Sequence, residues 1–298
     1  MTFHVPVLLK ECMDGLQIRK GGTYVDATFG GGGHSMEILS LLEEGKLFSL
    51  DQDQEAWMNK IEDGRWTLVR ANFRDIISAM KREGVEKVDG ILADLGISSR
   101  QIDEGERGFS IRLDGPLDMR MNRDTNLTAE VVVNEYDEKE LSGLLREYGE
   151  IINAGKVTGM ILKARKESRI DTTGKLAALM KRIAPRGKEN QFMAQVFQAI
   201  RIEVNDELGA LEDLLTGAEK LIRKGGRLVI ISYHSLEDRM VKSYMKKGNT
   251  EGRDVKDLFG NKIVPFEEIT RKPLVPGEAE IMKNNRARSA RLRIGEKT

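Results

Sequence analysis

The chain has 298 residues and equal numbers of basic and acidic side chains, 48 of each, so its formal net charge is zero. That balance argues against binding naked nucleic acid through bulk charge, although local basic patches stay open, and the length allows one large domain or two smaller ones. No apolar run approaches the ~18 residues of a membrane span and no signal pattern opens the chain; one cysteine, Cys12, and three histidines make a disulfide, a cysteine-held zinc or a histidine-rich metal site unexpected, so the expectation is a soluble, cytoplasmic protein without a metal.

In chain order, His4–Glu11 reads HVPVLLKE, a segment that either covers a sheet edge or begins a short helix. The organising stretch is Thr23–Ser35, TYVDATFGGGGHS: a short apolar strand ends in Asp26, four glycines follow (Gly30 to Gly33), and a helical pattern opens at Met36. Strand, glycine loop and helix let backbone N–H groups and a helix N-terminus approach a nucleotide-like ligand. The spacing misses the strict dinucleotide fingerprint. It fits better the looser acidic-x-Gly-x-Gly-x-Gly loop of S-adenosylmethionine enzymes, with Thr28 where a glycine is usual. A glycine-rich surface turn is the bland alternative.

A second short strand, Leu47–Leu50, ends at Asp51, roughly 20 residues beyond the glycines, where a carboxylate takes both ribose hydroxyls of a nucleoside. Asp53 competes for that role. A helix is expected over Ala56–Glu62 and a third strand over Thr67–Phe73. Phe73 falls at the strand's carboxyl end, where a ring packs on an adenine or simply fills core. A fourth strand, Val88–Leu92, runs into Ala93-Asp94-Leu95-Gly96. Amino-group methyltransferases place their reaction-site loop at this junction. Many follow the acidic or polar residue with two prolines and an aromatic; this chain has Asp94 without them.

Strand–helix alternation then stops. A polar, Gly- and Pro-punctuated loop carries Arg107, Arg112, Arg120 and Arg123, and from Thr128 to about Asn205 the apolar residues recur at helical spacing. The expected organisation is an α/β domain over residues 1–108 and 206–298, with a mainly helical domain inserted over 109–205. The lysines and arginines of the insertion are interspersed with acids, which fits a solvated face or an RNA contact. After it come a helix over Glu207–Arg223, a buried-type strand Arg227–Ser232, and Tyr233-His234 at that strand's carboxyl end. Two further strands are expected over Val264–Thr270 and Ala287–Ile294. The basic run Arg286, Arg288, Arg291 and Arg293 suits a phosphate contact or a protected edge strand.

Together, HVPVLLKE at 4–11, DATFGGGGHS at 26–35, ADLGISSRQID at 93–103, RGFS at 107–110, PLDMRM at 116–121, FQAIRIEVN at 197–205, SYHSLEDRMVK at 232–242 and NNRARSARLR at 284–293 span nearly the whole chain in one order. The assembly resembles the bacterial S-adenosyl-L-methionine-dependent methyltransferases that modify N4 of a cytosine in small-subunit (16S) ribosomal RNA near the decoding centre. Asn284-Asn285 stands where many members have Asn-Pro. The resemblance implies a Rossmann-like class I methyltransferase fold with an inserted helical domain. It implies a cofactor site of Gly32, Gly33, His34, Asp51, Phe73, Asp94 and Gln101, and a largely assembled small ribosomal subunit as substrate; a homodimer is compatible with it.

The expected chemistry is direct attack of the cytosine amine on the methyl group, with no covalent enzyme intermediate. Asp94 is the candidate catalytic acceptor, and Arg107, Arg112, Arg120, Arg201, His234 and Arg239 are the candidates for the substrate pocket. Two other readings remain: a methyltransferase with another target, such as DNA cytosine, free RNA or a ribosomal protein, and a non-enzymatic assembly protein that keeps the fold.

Overall fold

The computed structural model describes residues 6–257, 259–260 and 263–298; His4 and Val5 of the N-terminal motif lie outside the described residues. Strands β1 (Thr23–Asp26), β2 (Lys46–Asp51), β3 (Trp66–Arg70), β4 (Val88–Asp94), β5 (Ile222–Ser232), β6 (Phe266–Glu268) and β7 (Arg291–Lys297) form one sheet in the order β3-β2-β1-β4-β5-β7-β6. The first five in that order are parallel, and β7 runs antiparallel to both neighbours. This is a Rossmann-like α/β fold.

The alternation of strand side chains fixes the layers. Val25, Ile91, Ala93, Leu228 and Ile230 enter one core with the helices Ile76–Arg82, Glu207–Leu221 and Ser235–Lys247. Tyr24, Leu92, Val229 and Ile231 enter the other, with Cys12 and Leu16 of the helix Leu9–Leu16 and Ile38 and Leu39 of the helix Gly33–Leu41. The N-terminal apolar run therefore begins a helix rather than covering an edge.

The described chain forms two compact units: the residues up to Gly96 with Leu208–Thr298, and Ile97–Glu207. The second begins before the expected residue 109 because Ile97 and Phe109 pack in its core and the Arg107 side chain is held inside it. Its helices are Ser99–Asp103, Ala129–Glu135, Glu138–Glu147, Ala154–Glu167, Thr173–Lys181 and Glu189–Asn205. Their starts are written in the sequence: Thr128 and Thr172 cap by accepting a backbone N–H, and Asp137 with Glu140 closes a capping box. Asn205 clasps this unit. Its carboxamide oxygen accepts from the Met121 N–H at 2.7 Å, and its nitrogen donates to the carbonyls of Met119 (2.8 Å) and Arg201 (2.9 Å), holding Met119 at the unfavourable φ of 61°.

Several boundaries differ from the sequence expectation. Gln54–Asn59 is a 3-10 helix rather than an α-helix over Ala56–Glu62, and the Asp53 side chain caps its start. β3 ends at Arg70, and Phe73 opens a separate 3-10 turn capped by Asn72. β5 begins at Ile222, with an irregular register against β4 that accommodates Gly225-Gly226. Residues 285–289 form a turn, and β7 is an inner strand rather than an edge, since β6 pairs with its far side.

The clasp yields a measurable expectation. Asn205→Ala and Asn205→Asp both remove the two donated bonds, so both should cost about 1–3 kcal/mol. Urea unfolding and faster hydrogen exchange at the Met121 amide in the Ala variant check this.

Candidate active site

Three of the parallel strands end in aspartate: β1 in Asp26, β2 in Asp51 and β4 in Asp94. Strand parity places all three on the face shared with the helix Gly33–Leu41, since Asp26 follows Tyr24, Asp51 follows Leu47, and Asp94 follows Leu92 at even steps. Ligands of such sheets bind outside these carboxyl ends.

Asp26 is 1% exposed and builds the loop. One oxygen accepts from the Thr28 N–H at 3.2 Å, the other from the Ser35 hydroxyl at 2.6 Å. Ser35 meets the Ser49 hydroxyl at 2.8 Å, and Ser49 accepts from the Trp66 indole N–H at 2.8 Å. On the other side, the Thr28 hydroxyl accepts from the Asp94 N–H at 2.7 Å, and Asp94 Oδ1 accepts from the Tyr233 hydroxyl at 2.8 Å. A polar chain thus runs Trp66, Ser49, Ser35, Asp26, Thr28, Asp94, Tyr233, crossing β3, β2, β1, β4 and the end of β5. Thr28, which departs from the usual glycine, is the joint between β1 and β4.

Asp51 fastens the glycine loop to β2. Its Oδ2 accepts from the Gly30 N–H and its Oδ1 from the Asp53 N–H, both at 2.8 Å. Asp53 itself caps the following turn, accepting from the Glu55 N–H at 3.0 Å. Gly30 and Gly32 have φ of 50° and 77°, and a side chain on Gly32 would meet the Phe29 ring at 3.0 Å. A Cβ on Gly31 would meet nothing within 4 Å, so the loop backbone is open to a ligand.

Gly33 and His34 open the helix, three residues before the expected start. His34 Nε2 lies 3.1 Å from the Val7 carbonyl, which only accepts, so Nε2 carries the proton and Nδ1 keeps its lone pair. Burial pushes the imidazole down to about 4, against the Val7 hydrogen bond, and it stays neutral. Nδ1 stands 3.9 Å from Asp94 Oδ2. Burial pushes Asp26 up to about 7 against the Ser35 and Thr28 hydrogen bonds, with Asp51 adding repulsion. Burial likewise raises Asp94 to about 7, opposed by Tyr233 and reinforced by Asp26 and Glu237.

The donor set fits S-adenosylmethionine. Its sulfonium and ammonium charges suit a crevice where the charges bearing on Asp94 are themselves negative. Its ribose hydroxyls suit Asp51, and its bulk needs the side-chain-free glycine loop. Phe73 is half-buried against the core, past the end of β3. Gln101 belongs to the helical unit, where it is 5% exposed and exchanges a capping box with Ser98.

The arginine candidates separate by environment. Arg107 is 1% exposed; it donates to the carbonyls of Arg120 (3.1 Å) and Met121 (3.3 Å) and lies over the Phe109 ring. Arg120 pairs with Asp118 at 2.8 Å and donates to the Arg123 and Thr125 carbonyls. Arg201 forms a two-pronged pair with Glu207, at 2.7 and 2.8 Å. These three brace the helical unit. Arg112 and Arg239 are exposed. His234 is the N-cap of the helix Ser235–Lys247, its Nδ1 accepting from the Glu237 N–H at 3.4 Å. In the C-terminal basic run, Arg293 is buried against Asp238 at 2.6 Å and Arg291 reaches the same carboxylate at 3.2 Å. The helical unit also holds a cavity of about 300 Å³ with a largely apolar lining that includes Ile151, Val157, Ile183 and Phe192, and with Glu150 and Lys156 among its polar residues. Sequence reasoning passed over Ser49 and Trp66 and met Thr28 only as a departure from the glycine pattern, because their partners lie on other elements.

Strand order, glycine loop and the aspartate-tipped face define an S-adenosylmethionine-dependent methyltransferase of class I. The chain belongs to the MraW methylase family, whose model matches residues 1–298. It is similar to the ribosomal RNA small subunit methyltransferase H of Bacteroides thetaiotaomicron, 51% identical over 298 residues that cover 100% of this chain and 98% of that protein. The protein of the same name from Phocaeicola vulgatus is 52% identical, covering 99% and 97%. Among solved structures, TrmN from Thermus thermophilus aligns at a TM-score of 0.40 and 14% identity, over 98% of this chain and 48% of that one.

The buried aspartates predict a pH dependence. Asp26 and Asp94 hold protons in the folded chain up to about 7 but release them near 3.8 when unfolded. The folded state therefore binds more protons within that window, and its stability falls as pH rises through it, by at most about 1.4 kcal/mol per pH unit for each group. Melting temperatures of the ligand-free protein from pH 4 to 8 should decline on this account, and Asp26→Asn should flatten the slope.

Proposed function

We propose that the protein methylates N4 of a cytosine in small-subunit (16S) ribosomal RNA near the decoding centre, acting in the cytoplasm on a largely assembled small subunit. The carrying observation is Asp94, whose Oδ2 accepts no hydrogen bond among the described residues, at the end of β4 beside the glycine loop. The printed names of the relatives, matched over almost their whole length, support the substrate.

Gly32, Gly33, His34, Asp51, Phe73, Asp94 and Gln101 would hold the cofactor. Bound there, S-adenosylmethionine supplies a methyl group made electrophilic by the positive sulfur. The chain's own task is orientation and proton handling. A cytosine amine is a poor nucleophile because its lone pair is spread into the ring, so it must be fixed in line at near-attack distance. An ionised Asp94 accepts an amine hydrogen through Oδ2, favouring the tetrahedral nitrogen and then taking its proton. Cys12 is buried with its thiol pKa raised, and no covalent attack on the ring is needed. The base is splayed out of the folded RNA to reach this depth. Arg112 and Arg239, both exposed, would contact the phosphates, and the helical unit would help to hold the RNA.

The test is transfer of labelled methyl to small subunits from cells lacking this protein, followed by nucleoside analysis. Free RNA and DNA serve as comparison substrates. N4-methylcytidine should form on the subunit, Asp51→Ala should lose cofactor binding, and Asp94→Ala should lower the rate about 100-fold or more. Cofactor binding without transfer to the subunit would overturn the substrate assignment.

A further inference from the structure

The loop after β4 lacks the aromatic residue that follows the acidic position in many amino-group methyltransferases. The sheet brings an aromatic residue to that place from the next strand. Tyr233 follows Ser232 at the end of β5, whose Ile231 is paired with Asp94. Its ring lies against the β4 loop: a Cβ on Gly96 would meet the ring at 3.3 Å, and Gly96 holds a φ of 101° that side chains rarely adopt. Its hydroxyl donates to Asp94 Oδ1 at 2.8 Å. Its own backbone is fixed, because the Tyr233 N–H donates to Glu237 Oε2 at 2.8 Å. The Asp94 N–H is held by Thr28, and the remaining oxygen, Oδ2, accepts no hydrogen bond among the described residues and stands 3.9 Å from His34 Nδ1.

We propose that Tyr233 is a positioning residue of the methyl transfer: its hydroxyl pins one oxygen of Asp94 so that the other is presented to the amine hydrogen, and its half-buried ring walls the place of the target base. The inference rests on the amine-methylating function proposed above. A tyrosine hydroxyl has one hydrogen. Spending it on Oδ1 fixes the carboxylate plane and keeps the donor away from Oδ2, which must be empty to receive N–H. His34 cannot fill Oδ2 either, since its one proton is committed to the Val7 carbonyl. Tyr233 does not give up its own proton, because burial and the Asp94 charge raise its pKa far above neutrality.

The groups facing Asp94 are Tyr233 from β5, Asp26 from β1, His34 from the helix after the loop, Glu237 from the helix after β5, and Cys12 from the N-terminal helix. Of these, Tyr233 favours the ionised carboxylate and Asp26 and Glu237 oppose it. Removing the hydroxyl alone must then move the Asp94 titration upward.

The experiment compares wild type with Tyr233→Phe, which keeps the ring, and Tyr233→Leu, which removes it. Carboxyl-carbon NMR of the ligand-free full chain follows the Asp94 midpoint, assigned with Asp94→Asn, and methyl transfer to small subunits gives kcat, KM and the pH profile. In Tyr233→Phe the midpoint should rise by about one unit, the acid limb of kcat should rise with it, and kcat should fall about 10- to 100-fold. Tyr233→Leu should raise the KM for subunits as well. An unmoved Asp94 midpoint in Tyr233→Phe overturns the inference whatever the substrate proves to be. A moved midpoint with unchanged kcat and pH profile also overturns it. Failure of wild type to methylate subunits overturns the substrate assignment instead, while the NMR midpoint still decides the Tyr233–Asp94 coupling.

Discussion

The structure of the site depends on one buried carboxylate. Asp26 cannot reach water, so each of its oxygens must be satisfied inside, and the groups that satisfy it are the loop itself: the Thr28 N–H and the Ser35 hydroxyl. Because Thr28 in turn holds the Asp94 backbone and Ser35 meets Ser49, the conformation of the glycine loop, the end of β4 and the interior of β2 are set together. Each bond in such a chain polarises the next, and any one left unmade would strand a polar group in a dry interior. The glycines give the loop its freedom to bend; Asp26 decides which bend it takes.

The same constraint concentrates negative charge. Burial keeps protons on two of the three strand-end aspartates up to about 7, and repulsion from neighbouring carboxylates adds to it. A cationic ligand favours their ionised forms, so it meets here acidic groups that a net charge of zero conceals. On the proposed reading, the affinity for a positively charged methyl donor and the basicity of the amine's acceptor both follow from carboxylates withdrawn from water at strand ends, with burial the larger cause and mutual repulsion the smaller.

Much of this was legible in the sequence, and the boundary between what was and was not is physical. Local signals carried the strands, the glycine loop and Asp51, because alternation and turn chemistry act over a few residues. The helical stretch announced itself by its period. What local signals do not carry is which distant partner a long side chain finds. Arg107, Arg120 and Arg201 read as candidates for the substrate pocket, and in the fold carbonyls and acids of their own unit hold them. The C-terminal arginines read as a phosphate contact or a protected edge strand, yet Arg293 is buried on Asp238, 55 positions away. Tyr233 and Asp94 are separated by 139 positions, and the whole helical unit lies between them in the chain. Thr28 looked like a lapse from a pattern and proved to be a joint.

The polar chain ends at an indole. Trp66 donates its N–H to Ser49, and its ring lies 5.3 Å from that of Phe29, a residue of the glycine loop. The only other tryptophan, Trp57, is 40% exposed on a surface turn. One emitter is thus wired into the loop and the other looks at solvent. The protein carries its own optical gauge: blue-shifted light from the buried indole reports the state of the loop, and collisional quenchers silence the solvent-facing one first.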